Sequence, residues 1–117
     1  MEQDNNIIRI KSKAFAIRII RLVQYLQNEH HEFVLSNQIK KSGTSIGANV
    51  RESRNAQSRA DFISKLQIAL KESDETEYWL ELLYETDYIN EVAFNSLIND
   101  NKELTALLTS IIKSLKE

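Results

Sequence analysis

Ser58-Arg59-Ala60-Asp61 has the form of a capping box, a hydroxyl residue at the N-cap with a carboxylate three positions on. After it, Phe62, Leu66, Ala69, Leu70, Leu80 and Tyr84 fall on one face when residues are placed at steps of about 100°. The box and the stripe predict a helix that starts without a long loop and runs to about Tyr88. Toward the amino terminus, Leu35, Ile39, Ile46 and Val50 form the stripe of a helix from about Val34 to Gln57. Before that, Ile8, Phe15, Ile19, Leu22 and Leu26 form another, from roughly Asn6 to Asn28. Glu29-His30-His31-Glu32 carries no periodic signal and reads as the first connection. Past the third helix, Asn90 is a candidate N-cap, and Phe94, Leu97, Leu104, Leu108, Ile111 and Leu115 make a narrow stripe interrupted only by Asn101. Short connections force neighbours to run in opposite directions. The expected fold is all-α, an antiparallel up-down-up-down four-helix bundle about 35 to 45 Å long at roughly 1.5 Å per residue.

The composition agrees with long helices. The chain has 117 residues, no proline and two glycines, Gly43 and Gly47, although turns and strand ends normally use both types. That length suits one domain over residues 1–117, because two halves would each be too small to bury enough apolar surface. Cysteine is absent, which removes disulfides, thiolate metal sites and a cysteine nucleophile. The stretch from Met1 to Asn6 is polar and acidic where a secretory signal needs positive charge and an apolar run, so the expected location is cytoplasmic. Arg18, Arg21, Lys65 and Lys71 break every apolar stretch before it reaches the roughly 20 residues that cross a bilayer. The net charge is -2. Ten Lys and Arg against five Asp and Glu up to Ala60 give +5, and five against twelve from Asp61 onward give -7. Helices one and two are basic, and helix three is acidic.

Two helices are apolar on a second side. Ile10, Ala14, Ile17 and Ile20 lie off the core face of the first helix, separated from it by Lys11 and Arg18 on one flank and by Arg9 and Lys13 on the other. Ile68, Trp79 and Leu82 do the same on the third helix, with Glu72 and Glu75 among them. A tryptophan on such a face implies a partner surface. We therefore expect a homo-oligomer whose interface includes Ile10, Ile17, Ile68, Glu72, Glu75, Trp79 and Leu82. Ser42, Gly43 and Gly47 leave one side of the second helix almost without side-chain bulk, so another helix can pack close there, in the same subunit or the next.

The run Ser42-Gly43-Thr44-Ser45-Ile46-Gly47-Ala48-Asn49-Val50, followed by Asp61-Phe62, Lys65-Leu66, Ile68-Ala69-Leu70-Lys71-Glu72 and Glu75-Thr76, resembles the 23S rRNA-intervening-sequence proteins. The likeness runs from Gln38 to Leu83, while helices one and four match in length and pattern. It implies a left-handed four-helix bundle assembled as a ring-shaped homopentamer, with no enzymatic activity attributed to the family. The chain also resembles the accessory variability determinant of diversity-generating retroelements, which implies a nucleic-acid-binding bundle with a basic surface. The slightly negative charge of this chain departs from that pattern.

Several residue groups invite a chemical reading. Lys40, Lys41, Arg51, Arg54 and Arg59 crowd the outer side of helix two and its exit, and are either a solvated face or candidate phosphate contacts for RNA or single-stranded nucleic acid. Gly43 and Gly47 are not a phosphate loop, because no Lys-Ser or Lys-Thr follows the second glycine. Glu72, Glu75, Glu81 and Glu85 lack the Glu-x-x-His pairs of di-iron bundles, and His30 and His31 follow Gln27 and Asn28 at that spacing. Glu72 and Glu75 are better read as partners for arginines such as Arg51 or Arg54 of a neighbouring copy. Ser42, Thr44 and Ser45 have no activating histidine or lysine at a suitable spacing. No catalytic residue, cofactor, metal, membrane or small-molecule substrate is assigned.

Overall fold

A computed structural model describes residues 2–117, so Met1 of the polar amino-terminal stretch lies outside the described residues. The chain forms α1 (Glu2–His30), α2 (Val34–Ser53), α3 (Arg59–Glu85) and α4 (Glu91–Lys116). α1 packs against α2 and α4, and α3 against the same two. Contacts between neighbours fix their directions. Gln27 reaches Ser36 at 3.1 Å near the α1–α2 connection, and an added Cβ at Gly47 would meet Ser12 far from it. Thr76 bonds Ser42 and Lys65 pairs with Glu52 between α2 and α3. Ser73 bonds Asn101, and Arg59 donates to the Leu115 carbonyl, between α3 and α4. Lys11 pairs with Glu103, and Arg18 with Asp100, between α1 and α4. In each pair the numbering rises along one helix as it falls along the other, so every neighbour is antiparallel. The bundle measures 44 × 22 × 19 Å.

Local chemistry sets the helix ends. Ser58 is extended and accepts from the Asp61 amide at 3.0 Å, while the Asp61 carboxylate takes the Gln57 amide at 3.1 Å. α2 stops at Ser53, short of the expected Gln57, and the Arg54, Asn55 and Ala56 amides turn to the carbonyls three residues back. α3 also ends before the expected Tyr88. Asp87 takes the left-handed conformation (φ 68°), and Tyr88 and Asp87 donate to the Leu83 and Tyr84 carbonyls, a Schellman closure without glycine. α1 is longer than expected and includes His30 as its last residue, with His31 in the left-handed conformation (φ 51°). His30 therefore sits on a helix rather than in a loop. Its Nε2 lies 2.9 Å from the Tyr25 hydroxyl, and its ring meets Tyr25 and Tyr88 edge-on. The Glu32 carboxylate accepts the Leu35 and Ser36 amides at 3.0 and 2.7 Å, which caps the start of α2.

The stripes read from the sequence line the core. Ile8, Phe15, Ile19, Leu22 and Leu26 are buried, as are Ile39, Ile46 and Val50 of α2. Leu66, Ala69 and Leu80 of α3 join them, with Leu97, Leu104, Leu108, Ile111 and Leu115 of α4. Leu35, Phe62, Leu70, Tyr84 and Phe94 are partly buried and pack on its edge. Buried polar groups bridge helices. Asn101 donates its amide to the Ser73 carbonyl at 2.9 Å, and the Ser73 and Thr105 hydroxyls lie 2.5 Å apart. None of the described buried side-chain N or O atoms lacks a hydrogen-bond partner.

The two glycines bring α1 onto α2 within one chain. Neither has positive φ, so what they supply is the missing Cβ. A Cβ at Gly43 would lie 2.8 Å from Cγ1 and 2.9 Å from Cγ2 of Ile19, a fully buried, β-branched side chain that cannot swing away. At Gly47 the added atom would meet the Ser12 carbonyl oxygen at 3.3 Å. Alanine normally stabilises a helix by about 1 kcal/mol over glycine. Gly43→Ala is expected to reverse that sign and destabilise the chain by about 1–3 kcal/mol through overpacking. Gly47→Ala should fall near neutrality, because a small shift of α1 offsets the propensity gain. Urea denaturation of the two variants beside the wild type checks both, and a more stable Gly43→Ala chain would contradict close packing of Ile19 on Gly43.

Candidate functional site

α1 carries two flanks of positive charge beside its outer apolar stripe, and the fold treats them differently. On one flank, Arg18 pairs with Asp100 at 2.6 Å and donates to Ser96, and Lys11 pairs with Glu103 at 3.1 Å. These partly exposed pairs orient α4 more than they stabilise it. On the other flank, Arg9 and Lys13 face α2. With Arg51 and Arg54 they rim a groove of about 430 Å³ that is also lined by Ile10, Ala16, Thr44, Gly47 and Ala48. Arg9 and Arg54 continue into a second concavity beside the α2–α3 connection. Among the described residues, none of the four cations has a carboxylate partner.

The cations expected to act together divide. Arg51 and Arg54 line the groove, joined by Arg9 and Lys13, which the sequence marks only as flanks of a stripe. The signal that could have found them was the close α1–α2 approach at Gly47, which fixes which α1 residues stand opposite Arg51. Lys40 and Lys41 are exposed on α2 outside the groove lining. Arg59 donates to the Leu115 carbonyl at the end of α4, so its guanidinium serves a helix terminus.

The outer stripe of α1 is open. Ile10 is 68% exposed and Ile17 45%, with Ile7 and Ile20 also exposed, although core residues fill the opposite side of the helix. The α3 stripe is less open than its sequence suggested. Ile68 is exposed, but Trp79 packs against the core edge and donates its indole N–H to Glu75 at 3.3 Å, and Leu82 is half-buried. Glu72 and Glu75 are half-buried on this helix with no cation within salt-bridge distance among the described residues. Burial, and then the Glu75 carboxylate, push the Glu72 carboxyl above the ordinary glutamate value, against the opposing pull of Lys71 and Lys41. Ser42 and Gly43 are buried inside the bundle, where Ser42 accepts from Thr76 at 2.9 Å.

Among the described residues no group of three His, Cys, Asp or Glu side chains is placed to hold a metal ion. Thr44 and Ser45 donate to the Lys40 and Lys41 carbonyls of their own helix. No described helix is long and apolar enough to cross a membrane.

The model of the 23S rRNA-intervening sequence proteins matches residues 4–110, nearly the whole bundle. The chain belongs to that family. Membership thus extends over helices one and four as well as the Gln38–Leu83 stretch that carried the resemblance. Among solved structures, this intervening-sequence family member is similar to a crystallised protein of unknown function from the S23 ribosomal protein family of Bacteroides thetaiotaomicron. The two share 58% identity and a TM-score of 0.93, over 94% of this chain and 98% of the other. No curated protein matches the chain significantly.

The raised Glu72 value has a consequence for stability. Between the ordinary glutamate value and the raised one, the folded chain binds more protons than the unfolded chain. The contribution of Glu72 to stability is therefore best below the ordinary value and worsens as pH rises through that window. Glu72→Gln is expected to raise the thermal midpoint at neutral pH. The gain should vanish below the ordinary glutamate range, where both side chains are neutral. Thermal melts at the two pH values check it, and a gain that persists in acid would contradict burial of the charged carboxylate as its cause.

Proposed function

We propose that this intervening-sequence family member is a non-catalytic bundle that works as a homo-oligomer, covering the outer stripe of α1 with other copies of itself. The observation that carries the reading is the row of isoleucines at positions 7, 10, 17 and 20, exposed along a helix whose other side already fills the core. A contiguous apolar row of this kind is costly to leave in water and favours association. The closed ring, and five as its number of copies, come from the resemblance alone. A second reading is RNA or single-stranded nucleic acid held on the basic side of α1 and α2. The four cations of the groove, which have no carboxylate partner among the described residues, favour it, since phosphate contacts supply most non-specific affinity.

Ile10 is the cleanest probe of self-association. Trp79 also supports the core edge, so replacing it would change stability and assembly together. Ile10→Asp should leave folding stability within about 0.5 kcal/mol, as for most surface changes. In sedimentation velocity the wild type is expected to run as a multiple of 13.6 kDa and the variant as a lone chain. A wild type that sediments as 13.6 kDa at every concentration overturns the reading.

A further inference from the structure

Two outer faces of this chain are complementary, and they point in different directions. One is the α1–α2 groove, where Ile10 and Ala48 lie among Arg9, Lys13, Arg51 and Arg54. The other is the α3 ridge, where Ile68, Trp79 and Leu82 lie among Glu72 and Glu75. Resting on the self-assembly proposed above, we propose that the α3 ridge of one copy docks into the α1–α2 groove of the next, so that the contact is head-to-tail.

Charge decides the pairing. Two grooves placed face to face would oppose four cations to four cations, and two ridges would oppose Glu72 and Glu75 to themselves. Only the crossed arrangement sets the two carboxylates against cations, two of the four, and like charges brought together at an interface carry a substantial penalty. Among the described residues Glu72 and Glu75 have no cation at salt-bridge distance, and the Glu72 charge is disfavoured by burial and then by repulsion from the Glu75 carboxylate. A guanidinium from another copy would relieve that repulsion. The two faces cannot satisfy each other within one chain, since α2 lies between them and α3 packs on its far side. Each copy therefore offers one face to each of two neighbours. A contact of this type either closes into a ring or continues as a filament.

A charge-swap series tests the pairing. Arg51→Glu with Arg54→Glu, and separately Glu72→Lys with Glu75→Lys, should each weaken assembly by at least about tenfold, as expected for close charge pairs at an interface. The chain carrying all four substitutions should regain the wild-type mass in light scattering, because the swapped charges again meet their opposites. Far-UV circular dichroism checks that each variant is folded. If a reversal disturbs folding, Arg51→Ala with Arg54→Ala replaces it and should still weaken assembly. A wild type that is monomeric overturns both this pairing and the self-assembly on which it rests. A wild type that assembles while both reversed variants remain assembled leaves self-assembly standing and overturns the pairing. The pairing also falls if Arg51→Glu with Arg54→Glu stays assembled but loses salt-dependent binding of poly(U), since the groove would then be a nucleic-acid surface.

Discussion

The close approach of α1 to α2 across Gly43 and Gly47 is the constraint from which the rest of the molecule follows. Ile19 occupies the space where a Gly43 side chain would be, and the Ser12 backbone lies over Gly47. With α1 seated this deeply, Ile8, Phe15, Ile19, Leu22 and Leu26 all reach the core. The same seating fixes the rotation of α1 about its axis. Ile10 and Ile17 are turned outward because the residues opposite them are turned in. Burying the outer isoleucines would require rolling the helix and losing contacts of interior packing density. The exposed stripe is thus a result of core packing.

The rotation also separates the charges of α1. Lys11 and Arg18 come to rest beside Glu103 and Asp100 of α4, and Arg9 and Lys13 come to rest beside Arg51 and Arg54. One flank is neutralised within the chain, and the other gathers four like charges around a depression between α1 and α2. The acidic half of the sequence places Glu72 and Glu75 on α3, beyond α2, where they do not reach those cations. A net charge of -2 therefore conceals two concentrated regions of opposite sign. The family to which the chain belongs is shown across nearly its whole length.

Helix number and order were legible because they depend on local signals. The Ser58–Asp61 box forms the expected cap, and Asn90 accepts from the Ala93 amide at 2.8 Å. The ends of α2 and α3 were less legible. The stop at Ser53 comes with a switch of the Arg54, Asn55 and Ala56 amides to carbonyls three residues back, and the stop at Glu85 with Asp87 adopting a conformation more typical of glycine. Glu32 caps α2 through its carboxylate although it is not among the residues a cap search looks for. Stripes drawn as narrow rows missed Val23, Leu83, Ile98 and Ile112, which are buried because the apolar face of a bundle helix is wider than a heptad seam. Of the candidate surface, Arg51 and Arg54 could be read from helix two alone. Arg9 and Lys13 join them through the register between two helices, and Arg59 leaves them because the end of α4 is within its reach.

Trp79 is the single tryptophan of the chain and stands on the α3 ridge, half-buried and bonded to Glu75, so its environment reports directly on whether that face is covered in solution. Acrylamide quenching of its fluorescence, followed across a dilution series with the mass recorded at each step, is the most direct measurement. If copies cover the ridge, quenching falls and emission moves to shorter wavelength as concentration rises, in step with a mass above 13.6 kDa and with unchanged helicity. Quenching that is the same at every concentration, in particles that never exceed one chain, would contradict it.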